Sequence, residues 1–102
     1  PTLNLYDADG TPMWSRELPS GVFLPHIAHC DRWIVICASH RPGQRLLLLD
    51  ASGAGPFYQT KAPAIDGEET YWYPLASGGD LLLVSTHRKE ALRLRLPEAD
   101  AP

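Results

Sequence analysis

This chain of 102 residues has one methionine, two cysteines and no surplus of positive charge. Nine Lys and Arg stand against twelve Asp and Glu, a net charge of −3 with pI near 5.7. A nucleic-acid or anionic-membrane partner needs a basic face, so neither is expected. The apolar runs, Leu46–Leu49 and Leu81–Val84 among them, fall far short of the ~20 residues a membrane-spanning helix requires. No charged-then-apolar leader opens the sequence, which points to a cytoplasmic location, with a periplasmic one after removal of a leader as the alternative. If Asp31-Arg32 is a turn, Cys37 lies opposite His26 rather than Cys30, and two free thiols are expected. A G-x-S-x-G elbow, a Walker loop and a dinucleotide fingerprint are all missing. The expectation is therefore a protein without catalytic activity and without a cofactor.

What the chain does have is punctuation. Ten prolines and eight glycines cut it into short pieces, and 44% hydrophobic with 21% charged residues is ordinary globular composition. The length allows one domain, residues 1–102, with a single core. The pieces read as strands: Thr2–Tyr6, Met13–Leu18, Val22–His29, Trp33–Ser39, Arg45–Asp50, Phe57–Lys61, Tyr71–Leu75, Leu81–Thr86 and Leu92–Leu96. Trp33–Ser39 is β-branched, aromatic and apolar on both faces, as a strand covered on both sides should be. Pro25 marks Val22–His29 as an irregular or edge strand. Asp7-Ala8-Asp9-Gly10, Arg41-Pro42-Gly43-Gln44 and Ser52–Pro56 read as turns, and Ala62–Glu69 as a polar loop. The fold class is all-β.

The pieces also repeat. Ser39-His40-Arg41 and Thr86-His87-Arg88 each precede a leucine-rich strand, with the two histidines 47 residues apart. Leu3–Gly10 is echoed by Leu46–Gly53 at 43 residues, then Pro12-Met13-Trp14 by Pro56-Phe57-Tyr58, and Ile34–Cys37 by Leu81–Val84. Periods of this size mark stacked or radial repeats. Loops absorb the differences in offset.

The run from Leu3 to Trp14, L-N-L-Y-D-A-D-G-T-P-M-W, resembles the strand–turn–strand of quinoprotein-type (PQQ-repeat) β-propeller blades. That resemblance implies antiparallel sheets amounting to about two blades. Leu3–Leu18 would be the third and fourth strands of one blade, Val22–Lys61 a complete blade, and Tyr71–Leu96 the first three strands of another. It implies no quinone cofactor, because that site needs residues from many blades. A closed propeller has typically 4–8 blades, so the apolar faces must be covered otherwise. Either the sheets pack as a sandwich, or a second chain completes the ring.

Several groups carry candidate chemistry. His26, His29, Cys30 and Asp31 are metal-ligand types, but His26 and His29 point to opposite faces of an extended chain and no second pair stands at zinc-site spacing. His40 and His87 suggest acid–base groups; their recurrence favours a structural role at strand ends. Asp7-x-Asp9-Gly10 resembles the start of a calcium loop without its later acids, and reads better as a hairpin turn. Asp66, Glu68 and Glu69 are paired acids in a polar loop. Beside them, Tyr71, Trp72 and Tyr73 cannot all point inward on a strand. An exposed aromatic next to acids has the composition of a protein-binding hot spot, unless a loop folds over Trp72.

The function expected is that of a non-catalytic binding protein docking on another protein, of the inhibitor or immunity kind, by steric occlusion. Its contact surface would be Asp66, Glu68, Glu69, Tyr71, Trp72 and Tyr73. The alternatives are a module that completes a propeller with copies of itself, as a dimer or ring, and a small His-dependent enzyme or metal protein.

Overall fold

The computed structural model describes residues 2–41 and 43–97. Nine strands follow one another: β1 (Thr2–Tyr6), β2 (Pro12–Glu17), β3 (Phe23–Cys30), β4 (Trp33–Ser39), β5 (Gln44–Asp50), β6 (Tyr58–Lys61), β7 (Tyr73–Ser77), β8 (Asp80–Ser85) and β9 (Glu90–Leu94). Each pairs antiparallel with its neighbour in sequence, giving sheets of two, four and three strands, β1-β2, β3-β4-β5-β6 and β7-β8-β9. No helix occurs among the described residues. The strands divide among sheets as the blade resemblance implies, and the sheets do not close on themselves.

The four-stranded sheet is the middle layer, and strand alternation explains why. On one of its faces Ile34, Ile36, Ala38, Leu47 and Leu49 pack with Leu3, Leu18 and Val22, and with Trp14 of the first sheet. On the other, Cys30, Trp33, Val35, Cys37 and Leu46 pack with Trp72, Leu81 and Leu83 before and within the third sheet. Every residue of β4 from Trp33 to Ala38 is buried. Each such large side chain contributes roughly 1.5–3 kcal/mol by leaving water. Cys37 lies opposite His26 in the β3–β4 ladder, and both cysteines are free and buried.

β3 is irregular, as Pro25 requires. Its register slips between Phe23 and His26, with Leu24 at φ 49°. Every strand but β1 and β4 has limits shifted by one or two residues from the sequence reading, and β5, β7 and β9 show why. Gln44 belongs to β5 rather than to the preceding turn, because it pairs with Ser39. Tyr71 and Trp72 precede β7, which runs two residues further on. β9 starts at Glu90 rather than Leu92, because the β8–β9 connection is only four residues long.

That last shift corrects the histidine repeat. Ser39 pairs with Gln44 across one four-residue connection, and Ser85 with Glu90 across the other. Both connections end in a left-handed residue, Gly43 at φ 87° and Lys89 at φ 54°. The equivalent serines are 46 residues apart, so His40 corresponds to Thr86 and His87 to Arg41. The histidines occupy equivalent connections but not equivalent positions. His40 lies against Gly21, whereas Nδ1 of His87 meets the Ser85 hydroxyl at 3.2 Å.

The Asp–Gly echo, by contrast, is a repeat in three dimensions. Asp7 Oδ1 accepts from the Asp9 and Thr11 amides, both at 2.9 Å, and the Gly10 amide donates to Asp7 O at 3.0 Å. Asp50 Oδ1 accepts from the Ser52 amide at 2.9 Å, and the Gly53 amide donates to Asp50 O at 2.9 Å. Both glycines have φ 83°, a conformation that disfavours a side chain. These carboxylates are occupied as turn formers.

Candidate functional site

Two regions are candidates for a functional surface: the acidic and aromatic segment from residue 62 to 73, and the outer face of the third sheet. In the first, Asp66 and Gly67 have φ 54° and 76°, the conformation of a two-residue type I′ hairpin turn. Ile65 and Glu68 exchange backbone hydrogen bonds of 3.2 and 3.0 Å across it. Arg88, from the β8–β9 connection, reaches over and closes the hairpin. Its guanidinium donates to Glu68 Oε2 at 3.0 Å, and to Asp66 Oδ2 and the Ile65 carbonyl at 3.4 Å. Asp66 and Glu68 stay largely exposed beyond that contact. Glu69 lies over Gly43, where an added Cβ would come within 3.3 Å of its carboxyl carbon.

Trp72 does not belong to a contact surface. It is fully buried, 0% exposed, and its indole Nε1 donates to the Pro63 carbonyl at 2.8 Å. The Gln44 side chain fixes its backbone: Oε1 accepts from the Trp72 amide at 2.8 Å, and Nε2 donates to the Trp72 carbonyl at 3.0 Å. The amide thus acts as a one-residue strand partner between β5 and the segment entering β7. Burying such a side chain is favourable only with both bonds made. Alternation then sends Tyr71 and Tyr73 the other way, and both are more than 40% exposed. Tyr71 lies near the His87 ring, and Tyr73 meets His26 edge-on with ring centres 4.5 Å apart. The structure therefore brings Asp66 and Glu68 together on Arg88, sets Tyr71 and Tyr73 apart as exposed rings, and removes Trp72 to the core.

The remaining histidine and thiol chemistry is engaged locally. A His29 ring nitrogen donates to the Asp31 carbonyl at 2.7 Å. Burial pushes the Cys37 thiol up to about 12. Burial, with Asp31 and Asp80 nearby, raises Cys30 as well. Neither is a thiolate near neutral pH. Among the described residues no three His, Cys, Asp or Glu side chains converge as a metal-ligand group.

Sequence reasoning did not find the second region. Leu81, Leu83 and Ser85 of β8 face the middle layer and are buried. Their neighbours Leu82 and Val84 face away. The register sets Leu75 and Arg93 beside Leu82, and Tyr73 and Ala91 beside Val84. Residues directly opposite one another share a face, so these six form one outer surface, with Leu75 53% exposed. Asp80 and Arg93, bonded at 2.7 Å, close one end of it. A groove of about 690 Å³ opens beside that pair, between Trp33 and Arg93–Pro97. A second hollow of about 240 Å³ shares Arg32 and Trp33 with it and reaches Tyr58.

Compared with protein-family models, curated proteins and solved structures, the chain matches none of them.

Proposed function

We propose that this chain is a non-catalytic binding protein that docks on another protein through the third sheet. One observation carries the reading: the apolar outer surface of Leu75, Leu82, Val84 and Ala91, with Tyr73 at its edge. A contiguous exposed apolar surface rimmed by polar residues marks an interaction site. Here the rim is polar on two sides, Asp80 and Arg93 at one end and the Asp66–Glu69 hairpin near Tyr71 and Arg88 beyond the other end of β8. Tyrosine and arginine are the side chains that interface hot spots favour. Inhibition by covering a partner's own site is the form of docking that asks only for such a surface. The two-, four- and three-strand partition, with an Asp–Gly turn between the third and fourth strands of each sheet that has both, supports a propeller-type blade architecture. It brings no cofactor with it.

The test compares partner capture by immobilised wild-type protein with capture by Leu75→Glu and Asn4→Glu. Capture specific to the wild type and Asn4→Glu, and lost in Leu75→Glu, is the expected result. A partner retained by Leu75→Glu overturns this surface.

A further inference from the structure

The third sheet is one strand short of the middle one, and its free edge is unusual within this molecule. In the middle sheet the third strand, β5, lies between β4 and β6, with β6 in register from Arg45↔Lys61 to Leu48↔Tyr58. β9 is the counterpart of β5, since both follow equivalent four-residue connections. No described residue pairs with its far side. An edge strand offers unpaired N–H and C=O groups to any extended chain, and proteins commonly blunt such edges with proline, bulges, lysine or short length. The other edges here follow that rule. β1 has a bulge, β2 carries Pro12, β3 carries Pro25 and a bulge, and β7 carries Pro74. β6 is four residues long and ends in Lys61. β9, Glu90-Ala91-Leu92-Arg93-Leu94, pairs regularly throughout and has none of these devices.

Across Trp33 from that strand, Tyr58 also lacks the seat that its echo Trp14 has. In the first sheet, Trp14 of β2 lies flat on Gly53 in the β5–β6 turn, where an added Cβ would fall 2.6 Å from the indole. Its Nε1 donates to the Ala51 carbonyl at 3.2 Å, and Arg16 donates to the Gly53 and Gly55 carbonyls at 2.6 and 2.9 Å. Tyr58 of β6 lies opposite Leu48, on the face turned towards the third sheet, and is the echo of Trp14. It touches Trp33 edge-on at 6.2 Å and is otherwise 56% exposed. Tyr58 lines the smaller hollow, which shares Arg32 and Trp33 with the larger groove along Arg93–Pro97. Arg95 lines the larger one and has no carboxylate partner among the described residues.

We infer that β9 accepts an extended segment of a partner protein as a fourth strand, antiparallel to it, whose preceding glycine-containing turn seats beneath Tyr58. Main-chain hydrogen bonds to the β9 edge give affinity, and the turn gives selectivity, because only a glycine leaves room for the ring. Arg95 supplies to the turn carbonyls what Arg16 supplies to Gly53 and Gly55. This rests on the docking reading above and names its mode.

The probe is a synthetic peptide of residues 50–61, the chain's own turn and fourth strand, titrated into the full chain. Saturable binding below about 1 mM, with amide exchange slowed in β9, is the expected result. Peptides N-methylated singly at Gln59 or at Thr60 separate strand pairing from mere apolar contact, with no risk to the protein's folding. One of the two should lose at least about tenfold, since alternate amides face the partner strand. Binding that survives both, or slowed exchange confined to β5, overturns the inference. So does binding by a chain ending at Pro97 but not by the full chain, or a concentration-dependent oligomer of the protein alone with β9 protected. If Leu75→Glu abolishes partner capture while the peptide never binds, docking on the outer surface stands and strand addition fails.

Discussion

The two ends of the stack differ in what they show to water. The outer pairs of the first sheet are Thr2↔Glu17 and Asn4↔Ser15, polar throughout, with Tyr6 and Met13 beyond them. The outer triplets of the third are Leu75, Leu82, Arg93 and Tyr73, Val84, Ala91. The inner faces of both sheets are apolar and pack on the same middle layer. The first sheet thus finishes the molecule as a surface finishes a domain, and the third continues the pattern of an interior. The apolar side chains between layers hold the fold, while those on the third sheet's outer face are spare to it and are the ones the proposed docking would use.

The largest effect should come from the layer between the middle and third sheets. Trp72→Ala is expected to cost about 3–5 kcal/mol, read as a lowered urea midpoint. A loss under about 1 kcal/mol would mean that the third sheet does not pack on the middle one as described. Next come the two Asp–Gly turns, alike in glycine φ and in the bond from the glycine amide to the Asp carbonyl, and different in surroundings. Gly10 has nothing within 4 Å of an added Cβ, whereas Gly53 has the Trp14 indole 2.6 Å away. Gly10→Ala should cost about 1 kcal/mol for the left-handed backbone alone. Gly53→Ala should cost about 1–3 kcal/mol more, through overpacking. Equal losses would show that the first sheet does not dock through Trp14.

A smaller effect depends on pH. The Asp50 carboxylate is held down to about 2 from 3.8, first by the Ser52 amide and then by Arg32. Its folded-state pKa lies below the unfolded one, so its contribution is present above about pH 4 and disappears as pH falls towards 2. Asp50→Asn should flatten the acid limb of the stability–pH curve in that window, and an unchanged limb would assign acid sensitivity elsewhere. The smallest effect is expected on the outer face itself. Leu75→Ser should change stability by no more than about 0.5 kcal/mol, because that side chain is already wet.

Much of this fold was legible because its signals are local. Period-two alternation located the strands, Asp–Gly turns joined them, and the doubly apolar Trp33–Ala38 placed the central layer. The errors came from contacts between distant residues. Tyr71-Trp72 has strand composition, yet Gln44, 28 residues earlier, holds Trp72 outside the ladder. The same clamp, with the Pro63 carbonyl on the indole, buries a ring that composition alone assigns to a surface. The histidine echo looked like a motif, but ladder register, which short-range spacing does not show, displaces it by one position. Leu82 and Val84 were visible as apolar residues. That they face away from the middle layer, only partly buried, follows from how the strands divide among sheets, which no single segment reveals.

Site-specific photo-cross-linking reads the difference between the two ends most directly. A benzophenone side chain at position 75 on the third sheet, and another at position 4 on the first, would each be irradiated in a lysate containing the partner. A defined protein adduct from position 75 and none from position 4 is the expected outcome. An adduct from position 4 alone, or the same adduct from both, would contradict a docking surface on the third sheet.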